Sequence, residues 1–179
     1  FHHKIKIIPQ GFNFEEVESV ISNYKVNEVP TFAFAGGLIP DRRDPKEFIE
    51  YLIEKKYDFK FYIFTNNKYM IDPYITKSKG KIELLDYIPR LKLLKRLSEM
   101  DFLLNINNDI STQLPSKLID YTLTKRPILN IDSKNINKLI IDEFIKGEYK
   151  NQYKVEDFEQ YNIRNVADEF LKLVESDKK

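Results

Sequence analysis

At 179 residues, 42% hydrophobic and 32% charged, the chain has the composition of one globular domain and not of a disordered segment. Its 29 basic and 28 acidic residues nearly cancel to a net charge of +1, so no basic field favours nucleic acid or an anionic membrane as a partner. The absence of cysteine excludes disulfides, thiolate metal sites and cysteine nucleophiles, and fits a reducing, cytoplasmic setting.

No apolar run approaches the ~20 residues of a transmembrane helix. The start, Phe1-His2-His3-Lys4, is neither a signal peptide nor an initiator methionine, and a piece of a longer protein is expected. His2 and His3 read as a tail and not as metal ligands, because no third ligand accompanies them.

Short apolar runs alternate with helical patterns along the whole chain, as in a parallel sheet with crossover helices. Lys4–Ile8 is the first expected strand, closed by Pro9-Gln10-Gly11. Asn13 with Glu16 three residues on has the form of a capping box, and Phe14, Val17, Val20, Ile21 and Tyr24 form the helical stripe behind it. Thr31–Ala35 is a second strand, ending in Gly36-Gly37. Asp44-Pro45-Lys46-Glu47 combines an acidic cap, proline at the first helical position and an early glutamate, so a helix is expected to about Lys55. Phe59–Thr65 is a third strand, its aromatic residues Phe59, Phe61, Tyr62 and Phe64 belonging to a core, and a weaker helical segment follows over Asn67–Lys77. Lys81–Leu85 is a fourth strand, Leu91–Glu99 a helix, Asp101–Ile106 a fifth strand, Pro115–Thr124 a helix and Pro127–Ile131 a sixth strand. Helices near Asn135–Lys146 and Asn162–Glu175 complete the chain, the last with a stripe of Ile163, Val166, Ala167, Phe170 and Val174. The expected fold is α/β, one doubly wound, mainly parallel sheet of about six strands with helices on both faces. Ligands of such sheets bind beyond the carboxyl ends of the strands, at the point where strand order reverses.

Two loops carry candidate chemistry. Between Ile110 and Tyr121 a polar loop leaves a buried strand, and Pro115 opens a helix with Ser116 and Lys117 in its first turn. Free N–H groups and the positive end of the helix dipole make such a start an anion site. At 100° per residue Ser116, Lys117 and Asp120 share a polar face, so a phosphate at the helix start would leave Asp120 one turn deeper to accept bonds from a diol. Spacing alone does not separate this from an ordinary solvated helix face. The second loop runs from Ala35 to Pro45. Its paired Gly36 and Gly37 allow close approach to a ligand, and Arg42 and Arg43 can clamp phosphate. The G-x-G-x-x-G spacing of a dinucleotide site is absent, and on this loop alone a glycine turn with surface arginines is the better reading. No Asp-x-Asp pair follows a strand, so a divalent metal has no evident seat.

Five segments in order resemble the C-terminal, donor-binding half of GT-B glycosyltransferases: Ile8-Pro9-Gln10-Gly11-Phe12-Asn13, Gly36-Gly37-Leu38 through Arg43-Asp44-Pro45, Leu84-Leu85-Asp86-Tyr87-Ile88-Pro89, Pro115-Ser116-Lys117-Leu118-Ile119-Asp120-Tyr121 and Arg126-Pro127-Ile128-Leu129. They are most similar to the retaining enzymes grouped as family 4, which build bacterial surface polysaccharides. The resemblance spans roughly residues 5 to 175. It implies that Gly36, Gly37, Arg42, Arg43, Ser116 and Lys117 meet the donor diphosphate, that Tyr87 and Ile88 hold the nucleobase, and that Asp120 binds the ribose hydroxyls. Thr112 stands where the family places a sugar-contacting glutamate, Gly37 replaces a usual arginine, and no catalytic residue is assigned.

The expectation is therefore a cytoplasmic, metal-independent, retaining hexosyltransferase domain that takes a nucleoside-diphosphate sugar as substrate and needs no cofactor. The acceptor, a saccharide or lipid-linked, belongs to an N-terminal domain outside this chain, which would also carry any peripheral membrane association. Alone, the chain is expected to bind without turnover. The alternative is a non-catalytic nucleotide-binding or regulatory module, either a degenerate GT-B half or a receiver-like domain.

Overall fold

The computed structural model describes residues 5–107 and 115–176. Five parallel strands form one sheet: β1 (Thr31–Ala35), β2 (Lys60–Phe64), β3 (Ile82–Leu85), β4 (Phe102–Ile106) and β5 (Ile128–Ile131), in the spatial order β3-β2-β1-β4-β5. Among the described residues seven α-helices accompany them: α1 (Phe14–Glu18), α2 (Lys46–Glu54), α3 (Asp72–Lys77), α4 (Arg90–Ser98), α5 (Ser116–Leu123), α6 (Lys138–Ile145) and α7 (Ile163–Ser176). The sheet is doubly wound, and its order reverses between β1 and β4.

Period-2 alternation along the strands sorts the core into two layers. Phe32 and Phe34 of β1 and Phe102 and Leu104 of β4 face α2, α3 and α6, meeting Phe48, Ile71, Ile141 and Phe144. Ala33 and Ala35 face the other way with Leu103, toward Val17 of α1, Leu94 and Leu97 of α4, and Leu118 of α5. The first layer is aromatic. Phe32 stacks between Phe61 and Phe102 at centroid distances of 4.6 and 4.5 Å, with Phe48 edge-on at 5.9 Å. Small residues on one face of β1 and large ones on the other let α5 approach the sheet closely at the candidate site.

Two expectations fail locally. Residues 5–8 do not form a strand, so the sheet has five strands and not six, and Ile5 and Ile7 lie open to solvent. A strand needs a neighbour as well as β-forming residues, and this segment has no sheet edge. Its continuation bonds to the start of α7 instead: Phe12 N–H donates to the Tyr161 carbonyl (2.8 Å) and Ile163 N–H to that of Phe12 (2.9 Å). The first helix also stops early, at Glu18. The Asn13 side chain caps it as expected, accepting from Glu16 N–H at 3.1 Å. Ser19 then donates its hydroxyl to the Glu16 carbonyl, and Ser22 N–H is taken by the Ser98 hydroxyl of α4. Serines that offer the backbone other partners end helices. On α7 the expected stripe is buried only at Val166, while Phe170, Leu171 and Val174 are exposed. Among the described residues no helix is long and apolar enough to cross a membrane.

One buried carboxylate fastens the segment before β1 to the sheet. Asp101, just ahead of β4, accepts from Thr31 N–H (2.7 Å), Tyr24 hydroxyl (2.5 Å), Asn27 N–H (3.2 Å) and the Asn27 amide (3.2 Å). Burial and this carboxylate push the Tyr24 hydroxyl far above its ordinary pKa. Charge-assisted bonds to a buried acceptor are costly to orphan, so Asp101→Ala should lower the unfolding free energy by about 2–4 kcal/mol. Urea denaturation measures this, and a loss below about 0.5 kcal/mol would contradict the anchoring role.

Candidate functional site

Because every strand is parallel, the loops after β1, β3 and β4 leave the same edge of the sheet. After β1 the chain turns at Gly36, whose φ of +143° disfavours any side chain. Gly37 is less constrained. A Cβ there would meet only Asn67 Oδ1 at 3.9 Å, so its glycine leaves room and satisfies no packing demand.

The next turn separates the two arginines. Arg43 N–H donates to the Ile39 carbonyl (2.9 Å), Ile39 N–H donates to that of Arg43 (3.2 Å), and Asp41 adopts a left-handed φ of 61° at the tip. Arg42 is thereby exposed at the tip, its carbonyl accepting from the Ser133 hydroxyl at 2.6 Å. Arg43 is drawn inward, with its Nε buried and without a hydrogen-bond partner among the described residues. Asp44 accepts from Lys46 N–H at 2.9 Å, holding the entry to α2.

Across the sheet reversal, Pro115 leads into α5 with no side-chain cap on the helix start. In the first turn the Leu118 N–H donates to the Pro115 carbonyl (2.9 Å), while those of Ser116 and Lys117 have no intrahelical acceptor. Ser116 is exposed there. Lys117 is not on the solvent face that its helical phase suggests. Its Nζ is buried with no hydrogen-bond partner among the described residues, 4.8 Å from the centroid of the Phe34 ring. Its Cδ lies 4.0 Å from the point where a Cβ on Gly36 would stand. Burial, and secondarily the charge of Arg43, pull its pKa down to about 7. Among the described residues neither Arg43 nor Lys117 pairs with a carboxylate.

Tyr121 ties these two loops together. Its buried hydroxyl accepts from Ala35 N–H (2.8 Å) and donates to the Ala35 carbonyl (3.3 Å), one residue before Gly36. Burial drives its pKa far up, so it stays a neutral bridge. Asp120, one turn into α5, has its Oδ1 held by Arg90 of α4, from Nε at 3.0 Å and Nη2 at 2.6 Å. Tyr87 is half exposed and Ile88 packs on the core, both in the turn leading to Arg90.

Of the expected site residues, then, Gly36, Arg43 and Lys117 converge, and Asp120 is linked to the Tyr87–Ile88 turn through Arg90. Arg42 and Ser116 lie at the solvent-facing margin, and Thr112 falls outside the described residues. Sequence reasoning missed Tyr121 and Arg90. Both act across long sequence separations that no local pattern reports. Concavities of about 380 Å³ lie elsewhere, between Pro9 and α7 and beside Arg126 and Tyr153, so the candidate site rests on charge and backbone geometry and not on cavity size.

No family model and no curated protein matches the sequence. Among solved structures, the chain is similar to the lipopolysaccharide outer core galactosyltransferase WaaB in its apo form (TM-score 0.58, 11% identity). It is also similar to AviGT4, a glycosyltransferase involved in avilamycin A biosynthesis (TM-score 0.57, 9% identity). Each likeness covers 93% of this chain and 56% of the other, so the chain spans little more than half the length of the proteins it matches. The chain thus has the Rossmann-like fold of one half of a GT-B glycosyltransferase.

The buried lysine sets a pH dependence. Between about 7 and the ordinary lysine value of 10.5 the unfolded chain holds a proton that the folded chain has released. The unfolded state binds more protons there, so this group's contribution to stability rises with pH across that window, and its full penalty is present below it. Lys117→Met keeps the stem and removes the penalty. It should stabilise the protein against urea at about pH 6, by a gain that shrinks toward about pH 10. An equal effect at both ends would show that Lys117 is not a buried cation.

Proposed function

We propose that this chain is the donor-binding half of a glycosyltransferase, gripping the diphosphate and ribose of a nucleoside-diphosphate sugar. The observation that carries the reading is the pair of cations Arg43 and Lys117 near the start of α5, with Arg43 Nε and Lys117 Nζ buried and, among the described residues, without a carboxylate. Two like charges held together in a poorly solvated place are unfavourable until an anion arrives, and a diphosphate supplies that charge. The glycine turn at Gly36 brings backbone to the same point.

In the transfer step the bond between the anomeric carbon and the diphosphate oxygen breaks, and its electron pair stays on that oxygen. An acceptor hydroxyl forms the new bond to the anomeric carbon, and its proton passes to the departing diphosphate. Arg43, Lys117 and the helix dipole stabilise the charge gathering on the leaving diphosphate, with Arg42 and Ser116 at the margin. This cation set serves without a divalent metal, and the reaction is assigned as retaining by the resemblance to family 4. Tyr87 and Ile88 flank the nucleobase, Asp120 takes the ribose hydroxyls, and by the resemblance Thr112 holds the sequence position of the sugar contact. The acceptor is held by a second, N-terminal domain, so this chain alone binds its donor without turnover.

Calorimetric titration with the diphosphates of uridine, guanosine, adenosine and cytidine tests the reading. At least one should bind in the presence of a chelator. Arg43→Gln or Lys117→Met should each weaken it about tenfold or more, and Arg42→Gln much less. Binding abolished by the chelator would contradict metal independence, and no binding by any of the four would overturn the donor reading. Asp120→Asn should weaken the ribonucleotide about tenfold while leaving its 2′,3′-dideoxy analogue unaffected. Equal losses for the two would remove Asp120 from the ribose site.

A further inference from the structure

Asp120 is not a free carboxylate. Its Oδ1 takes both hydrogen bonds from one guanidinium, Arg90 Nε at 3.0 Å and Nη2 at 2.6 Å, and among the described residues no bond reaches Oδ2. Arg90 opens α4 directly after Tyr87-Ile88-Pro89. Its guanidinium is steadied from two more sides, lying 5.7 Å from the centroid of the Phe12 ring and with Nη1 3.8 Å from Glu16 Oε2. A planar fork held between α5 on one side and the Phe12–Glu16 segment on the other has one orientation and imposes it on the carboxylate it grips. An aspartate without such a partner would turn about its side-chain bonds and spend that freedom on every ligand it bound.

We propose that Arg90 is a positioning residue for the ribose site: by occupying Oδ1 it presents Oδ2 of Asp120, in a fixed direction, to a vicinal diol. The same contact ties α5 to the turn carrying Tyr87, so the parts of the site facing base and ribose are set against each other by one ion pair. The proposal rests on the donor-binding reading and deepens it, because that reading assigns Asp120 but nothing that orients it. Arg90 touches the carboxylate and acts through it.

The test uses the nucleoside diphosphate of the four above that binds wild type most tightly, its 2′,3′-dideoxy analogue and inorganic pyrophosphate. Wild type should favour the ribonucleotide over the dideoxy analogue by about tenfold or more. Arg90→Gln should bring that ratio close to one while pyrophosphate affinity, which reports an intact phosphate end, changes by less than about threefold. Arg90→Lys keeps the charge but not the two-point grip and should fall between. If Arg90→Gln loses pyrophosphate binding as well, it has lost its fold and Arg90→Lys decides. A wild-type ratio retained in full by Arg90→Lys, or by a folded Arg90→Gln, overturns the proposal while the donor reading stands. If wild type binds none of the four nucleotides, the donor reading fails and takes this inference with it.

Discussion

All five strands run the same way, and the rest of the molecule follows from that constraint. Parallel strands return through crossover helices, so every strand ends, and every following helix begins, on one edge of the sheet. The order β3-β2-β1-β4-β5 then sends the connections after β1 and β4 to opposite faces, opening a crevice between them. Gly36 stands on one lip of that crevice and the start of α5 on the other. Tyr121 closes the gap from below by binding both backbone groups of Ala35. The aromatic layer on the far face gives this edge a rigid floor, with Phe34 lying under Lys117.

Three carboxylates of the fold are well matched. Asp101 accepts four hydrogen bonds, Asp142 is shared by the hydroxyls of Tyr51 (2.6 Å) and Tyr57 (2.8 Å), and Asp120 is paired with Arg90. Those two tyrosines hold the Asp142 carboxyl below its ordinary pKa against the opposing effect of burial. Arg43 and Lys117 break the pattern. Among the described residues three cationic side chains have a buried nitrogen without a hydrogen-bond partner, and two of them, Arg43 and Lys117, fall together at the end of the central strand, while Arg126 stands apart over the Tyr24 ring.

Much of the architecture was legible in the sequence because burial on both faces writes continuous apolar runs. Thr31–Ala35 is reproduced residue for residue, and the other four strands differ from expectation by one residue at one or both ends. Asn13 capped its helix as its side chain suggested, and Asp44 holds the entry to α2. The segment around Ile5 and Ile7 misled because its residues favour a strand while the topology offers no partner. Within the site, the Gly36 turn and the α5 start were legible from glycine and proline. The division of labour between Arg42 and Arg43 was not, because it depends on a left-handed Asp41 that swings neighbouring side chains apart. The grip of Arg90 on Asp120 spans thirty positions, and only packing of α4 beside α5 creates it.

Arg43 and Lys117 also differ in what they can give up. An arginine keeps its proton in any environment a protein offers, whereas a lysine with a pKa near 7 is only partly charged at neutral pH. An anion bound beside Lys117, as proposed, would restore its charge and draw a fraction of a proton from solution. The heat of association then contains the heat of ionising the buffer, and titrations in buffers of different ionisation enthalpy give different apparent enthalpies at one affinity. The slope of that dependence counts the protons taken up. That count joins the proton gained by Lys117 to any that the terminal phosphate of the ligand gains or loses.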